Sequence, residues 1–354
     1  MRTPSRGNGS YSQSLGGERA GVRESEEGLP LIVIVGPTAV GKTALAVRLA
    51  EVVGGEIVSA DSRQMYRGMD IGTAKATPEE RARVRHHLLD VVDPDQSLSL
   101  AQFQEMAYAA IDDIAGRGRI PFLVGGTGQY VMAVVEGWQI PRVVPDDVLR
   151  RQLCQQAEEG GAKALHARLQ ALDPRAAHRI DPRNVRRVVR ALEVCLTTGR
   201  PITEQQEKSP PPYRILMVGL DMRRAQLYQR IDERVEGMIQ SGLEDEVRRL
   251  VAAGHGFHLP AMSGVGYGQF AATLAGEATS PDAVREIKRA TRRFVRHQSN
   301  WFRHDDPRIR WYIYPADLTA AFLSSDLGQS GDAEPDPYGR ILELVRTFLV
   351  ESAQ

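Results

Sequence analysis

The chain has 354 residues, 42% hydrophobic and 25% charged, with 45 basic and 45 acidic side chains and a formal net charge of +0. Such a composition suits a globular protein of two domains or of one with a large insertion, and without an apolar run long enough to span a bilayer it excludes a membrane-embedded role. Cys154 and Cys195 stand far apart and outside any C-x-x-C pattern, so neither a disulfide framework nor a zinc site is expected, and a reducing cytoplasm fits.

Residues 1–28 mix Gly, Ser, Arg and Glu without periodicity and lack the apolar stretch of a signal peptide, while Glu18, Glu24, Glu26 and Glu27 argue against a transit peptide. A disordered tail is expected there. Leu31, Ile32, Val33, Ile34 and Val35 then form a continuous apolar run of strand length, as in a parallel strand covered on both faces. Gly36-Pro37-Thr38-Ala39-Val40-Gly41-Lys42-Thr43 follows, matching G-x-x-x-x-G-K-[ST], and an amphipathic helical stretch runs on from Ala44 to Val53.

Strand, loop and helix thus come in the order a phosphate cradle requires. The glycines let backbone N–H groups close around phosphate oxygens at a helix N-terminus, Lys42 reaches the terminal phosphates, and the Thr43 hydroxyl is a magnesium ligand. The loop does not name the reaction, because kinases, GTPases and other diphosphate users share it.

A second strand, residues 56–60, ends at Asp61-Ser62-Arg63-Gln64, and a third, residues 120–124, ends at Gly125-Gly126-Thr127-Gly128. Carboxyl ends of parallel strands face the ligand crevice, which aims Asp61 and Thr127 at the phosphates. Asp61 there is a general base, a helix cap or the holder of a magnesium-bound water; the second glycine turn either approaches a diphosphate or is a plain tight turn. His86 and His87, as neighbours on a helix, do not face each other, so a structural role is expected rather than a metal site.

Helical periodicity dominates residues 138–212, closed by Ser209-Pro210-Pro211-Pro212, and residues 214–220 resume a sheet strand. Within this insertion Val185, Val188, Val189 and Leu192 can form a buried stripe. Arg183, Arg186, Arg187 and Arg190 then line the other face as a track for RNA phosphates, with few acids close by, and Arg150 is a further candidate. Leu227, Ile231, Val235, Met238 and Ile239 mark one apolar helix face and put Arg234 on the polar side. Basic residues gather again over residues 288–296. After a Gly-, Ser- and Asp-rich stretch, residues 324–337, helical spacing of Ile341, Leu342, Leu344, Val345 and Phe348 predicts a terminal helix.

With Ser59-Ala-Asp-Ser-Arg-Gln-Met-Tyr66, Asp70-Ile-Gly-Thr-Ala-Lys75, His86-His-Leu-Leu-Asp90, Ile231-Asp-Glu-Arg-Val235, Gly266-Tyr267 and Gln298-Ser-Asn-Trp-Phe-Arg303 added to the two glycine loops, the chain resembles the bacterial tRNA dimethylallyltransferase family from about residue 30 to 315. The resemblance implies an α/β fold, a P-loop NTPase-like parallel sheet flanked by helices (29–137 and 213–315), with a mostly helical tRNA-binding insertion (138–212) and a linker with a C-terminal helix (316–354). It implies dimethylallyl diphosphate as donor, magnesium as ion, and as acceptor a tRNA anticodon stem-loop whose adenosine 3′ of the anticodon is flipped into a channel. A monomer is expected.

By the same resemblance Asp61 is the base for the adenine amine, Arg234 and Thr127 hold the diphosphate, and residues 36–43 bind its phosphates. RNA contacts fall to Asp61, Ser62, Arg63, Gln64, Thr127, Gly266 and Tyr267, with Tyr267 either stacking on a base or packed in the core, beside Arg150, Arg186, Arg187, Val188, Val189 and Arg190. Val40, Gln129, Gly268 and Asn300 depart from the family's usual residues, Gly268 at the cost of an RNA contact. A small-molecule kinase would leave the basic insertion unexplained, a prenyltransferase for free adenine nucleotides would not need it, and an RNA-binding module would not need Asp61, Thr127 and Arg234 together.

Overall fold

In the computed structural model, which describes residues 28–314 and 337–351, six strands form one parallel sheet of order β3-β2-β4-β1-β5-β6. They are β1 (Leu29–Val35), β2 (Gly55–Ser59), β3 (His86–His87), β4 (Ile120–Val124), β5 (Tyr213–Asp221) and β6 (Ile309–Ile313). The unbroken apolar run of β1 has a direct cause. Leu31, Val33 and Val35 point into one core with Phe103, Ile111 and Val131, whereas Ile32 and Ile34 point into the other with Leu45, Leu49 and Ile231. Strand periodicity of two sends alternate residues to opposite faces, and both faces are covered.

Helices α1 (Lys42–Val53), α2 (Pro78–Arg83) and α3 (Leu100–Gly116) connect the first four strands, and α4 (Gly128–Val135) follows the fourth. Several carry their stop and start signals in sequence. Left-handed Gly54 ends α1, and Ser99 with Gln102 makes a capping box for α3. His86 and His87 lie on the short edge strand β3 and not on a helix; His87 Nε2 meets Glu56 Oε2 at 2.7 Å and His86 Nδ1 meets the Val84 carbonyl at 2.8 Å.

Between α4 and β5 come α5 (Asp147–Gly160), α6 (Ala162–Leu172), α7 (Pro174–Arg179) and α8 (Val185–Thr198), packed around a cluster of their own that includes Leu153, Leu165, Leu169, Val188 and Leu192. The chain enters and leaves this group along one antiparallel neck. Trp138 bridges Lys208, Gln139 N–H donates to Glu207 and Ser209 N–H to Gly137.

Helices α9 (Arg224–Gln240), α10 (Leu243–Ala252), α11 (Ala271–Leu274) and α12 (Ser280–Gln298) follow β5. The terminal helix, Pro337–Val350, buries Ile341 and Val345 in the core that also holds Ile32 and Ile34. The predicted tail up to residue 27 lies outside the described residues, as does the Gly- and Ser-rich stretch up to residue 336.

Candidate functional site

The carboxyl ends of β1, β4 and β2 bring three loops together. In the first, Gly36 (φ 143°), Ala39 (φ 67°) and Gly41 (φ 104°) adopt left-handed backbone that curls residues 36–41 before α1 starts at Lys42. A Cβ at Gly36 would lie 2.3 Å from the Leu220 carbonyl oxygen, so the loop sits against β5 only because glycine stands there. Val40, where the family usually has serine, puts its side chain in the core. Lys42 is folded over its own loop, its Nζ donating to the carbonyls of Gly36 (3.1 Å) and Pro37 (2.8 Å).

The loop after β2 carries Asp61, whose Oδ1 accepts from Arg63 N–H at 2.9 Å, and the loop after β4 carries Thr127, whose hydroxyl accepts from Ser62 N–H at 3.2 Å. Close approach of these two again depends on glycine, since a Cβ at Gly125 would lie 2.2 Å from the Ala60 oxygen. Gln64 completes the loop by accepting from Ser59 and donating to the carbonyls of Thr73 and Ala74, and Arg63 donates to those of Pro260 and Ala261.

Charge in this crevice is predominantly positive. Burial, then the nearby Arg234 guanidinium, push Lys42 down to about 8 against the opposing pull of Asp61. Arg234, half-buried on α9, is itself pushed down by burial and by Arg230, with Asp61 again opposing. It makes no ion pair among the described residues. Lys42 and Arg234 therefore act on one another with the Asp61 carboxylate drawing on both, and Arg230, itself facing Glu233, adds to the positive charge felt by Arg234; a diphosphate would neutralise the charge of the first two. Arg230 had no role in the sequence reading, although it lies one helical turn before Arg234, a spacing that places two side chains side by side.

Gln298, at the end of α12 and 3% exposed, also went unassigned. Its Oε1 accepts from Thr38 N–H and its Nε2 donates to the Gly126 carbonyl, both at 2.9 Å, so one amide bridges the two glycine loops. Gln298→Leu leaves both backbone groups without a partner and is expected to cost about 1–3 kcal/mol of unfolding free energy; a urea midpoint equal to that of the parent chain would remove the bridge from this account. Trp301 packs on Gly128, where a Cβ would lie 2.2 Å from its ring, yet keeps 36% of its surface exposed, whereas Phe302 is buried.

Several expected RNA contacts are corrected. Val188 and Val189 are 0% and 6% exposed, because they form the apolar stripe on which α8 packs. Gly266 and Tyr267 are buried, and the Tyr267 hydroxyl is bonded to Glu246 at 2.7 Å, so its ring is not available for stacking on a base. Nor is acid scarce around the arginines. Glu193, fully buried on α8, takes Arg150 at 2.8 Å and Arg190 at 2.6 Å and accepts from Asp146 N–H, which joins the start of α5 to α8. Arg183 pairs with Asp181. Arg186 and Arg187 are exposed and make no ion pair among the described residues.

A family model described as IPP transferase matches residues 64–305. The chain is 58% identical over 301 residues to a tRNA dimethylallyltransferase of Roseiflexus sp. (strain RS-1), covering 85% of this chain and 96% of that one, and 52% identical over 292 residues to a tRNA dimethylallyltransferase of Herpetosiphon aurantiacus, covering 82% and 93%. Among solved structures it resembles the full-length tRNA isopentenylpyrophosphate transferase of Bacillus halodurans, with a TM-score of 0.64, 38% identity and 92% and 98% of the two chains covered. It also resembles a eukaryotic dimethylallyltransferase acting on tRNA, with a TM-score of 0.74, 25% identity and 91% and 80% covered. Parallel sheet, phosphate-type loop and relatives matched over four fifths of its length agree, and the chain belongs to the IPP transferase family, that of the tRNA dimethylallyltransferases.

Proposed function

We propose that the chain transfers a dimethylallyl group from dimethylallyl diphosphate to the exocyclic amine of the adenosine immediately 3′ of the anticodon, acting in the cytoplasm as a monomer. The observation that carries this reading is Lys42, folded over the phosphate-type loop with its Nζ on the Gly36 and Pro37 carbonyls, where the Arg234 guanidinium acts on it and the Asp61 carboxylate draws on both. In the reaction the bond between the donor's first carbon and the diphosphate oxygen breaks as the bond from that carbon to the adenine nitrogen forms. The nitrogen's proton passes to Asp61, and diphosphate leaves with the electron pair of the broken bond.

Each residue has a task in this scheme. An adenine amine is a weak nucleophile because its lone pair is delocalised, so a carboxylate at hydrogen-bond distance helps as the new bond forms. The amides of residues 36–43, Lys42, Arg234 and the Thr127 hydroxyl receive the charge growing on the leaving group. The Thr43 hydroxyl, in the first turn of α1, would be the protein's ligand to a magnesium ion shared with phosphate oxygens, and among the described residues no cluster of three His, Cys, Asp or Glu side chains offers a metal site elsewhere. Bound there, the ion would neutralise part of the diphosphate. Exposed Arg186 and Arg187 on the helical group 138–212 serve the anticodon arm, with Ser62, Arg63 and Gln64 nearest the target base.

Incubating the protein with magnesium, dimethylallyl diphosphate and an unmodified anticodon stem-loop, followed by nucleoside mass spectrometry, tests the proposal. Isopentenyl-adenosine formed on the stem-loop and not on AMP supports it; transfer to AMP, or ATP turnover without prenylation, overturns it.

Because the protonated Lys42 is the form that binds diphosphate and its free value is about 8, donor affinity is expected to hold below that pH. Above it affinity falls by up to about tenfold per pH unit, until the higher value of the liganded lysine is reached. Calorimetric titration with dimethylallyl diphosphate between pH 7 and 10 reads the decline, and a flat profile would detach Lys42 from the donor.

A further inference from the structure

A carboxylate withdrawn from water is costly unless donors fill its lone pairs. Glu246 on α10 is 2% exposed, and every donor it has comes from elsewhere in the chain. Its Oε2 accepts from the N–H groups of Asp70 (3.0 Å) and Ile71 (2.8 Å), and its Oε1 accepts from Gly72 N–H (3.1 Å) and the Tyr267 hydroxyl (2.7 Å). Three consecutive backbone amides aimed at one anion make a nest. Burial and the Glu246 charge push the Tyr267 hydroxyl well above its ordinary value, which keeps it a donor. The ring of Tyr267 in turn lies where a Gly72 side chain would be, 2.6 Å from an added Cβ, so the two segments are pressed together around the carboxylate.

Both of these segments hold the loop that carries Asp61. Residues 70–72 run directly into Thr73 and Ala74, whose carbonyls accept from Gln64, and Tyr267 follows the turn whose Pro260 and Ala261 carbonyls accept from Arg63. Residues 63 and 64 are thus clamped from two sides, and Asp61 is bonded to the backbone of the first of them.

The geometry points to Glu246 as a positioning residue for transfer, the anion that locks together the two segments fixing Arg63 and Gln64 and so aims the Asp61 carboxylate. This inference rests on Asp61 being the base. It makes α10, a helix with no group at the crevice, part of the acceptor site's alignment.

The test is single-turnover transfer to the stem-loop by the full chain, with both substrates saturating so that only the chemical step is read. Glu246→Gln turns an N–H₂ toward backbone donors and is expected to slow that step by about 100-fold, the scale of misplacing a reacting group by about an ångström. Stem-loop and donor affinities stay within about threefold. Tyr267→Phe removes one donor of four and little volume, and slows the step by about fivefold; it carries the test alone if Glu246→Gln does not fold.

In an Asp61→Ala background both effects shrink below about twofold, since residues acting as a unit are not additive, whereas a general loss of structure would be inherited in full. An undiminished effect beside a slow Asp61→Ala overturns the role of Glu246 alone, as does a wild-type rate for Tyr267→Phe. Asp61→Ala transferring at the wild-type rate overturns the general-base reading, and this inference with it.

Discussion

Asp61→Ala slows transfer to the stem-loop by about 100- to 10,000-fold, the range that a positioned general base contributes, while stem-loop affinity changes by less than about threefold. The second half of that expectation comes from the loop. Alanine removes the bond from Arg63 N–H to Asp61, yet Gln64 remains tied to Thr73 and Ala74 and Arg63 to Pro260 and Ala261, so the backbone keeps its course. Asp61→Asn separates the two tasks of the side chain. It retains an oxygen to accept from Arg63 but cannot take a proton, and it should be as slow as alanine; an active asparagine variant would make Asp61 a turn former only.

Arg234→Ala is expected to lower the rate by about 100- to 1,000-fold, because it removes a pre-placed charge from the point where the leaving group's charge develops. It has a second, independent signature. Arg234 is one of the groups that hold Lys42 down, so without it the lysine rises from about 8. The alkaline decline in donor affinity must then move to higher pH. A rate loss with no displacement of that decline would place Arg234 away from Lys42 and leave it a remote structural role.

How much was legible in the sequence differs from element to element for physical reasons. The five-residue apolar run of β1 could be read because a strand covered on both faces has no polar alternation to hide in. The phosphate-type loop was legible because its glycines are required by local backbone geometry and stand at fixed spacing. The parallel sheet, the family and the transfer reaction followed from such local signals in the right order.

What was illegible depends on partners far away in the chain. Gln298 meets Thr38 across 260 positions, and Glu246 meets residues 70–72 across 174 to 176. Neither pairing leaves a periodic trace. The ion pair of Arg150 with Glu193, 43 positions later, likewise left no sign in the sequence. Val188 and Val189 are a different case: the helical spacing that put them in a buried stripe was sound, and it already argued against giving them to RNA. β3 was missed because two residues are too few to show any period.

The shared anion between α5 and α8 has a consequence for how this surface can evolve. Arg150 and Arg190 converge on Glu193 from two helices. A lineage can lose either arginine and retain a neutral pair with the other. It cannot lose Glu193 first, for that leaves two guanidiniums facing each other around a buried position without an anion between them. Mutational routes from this junction to an apolar one are therefore ordered, running through the arginines before the glutamate, and in descendants the three positions should vary as a set.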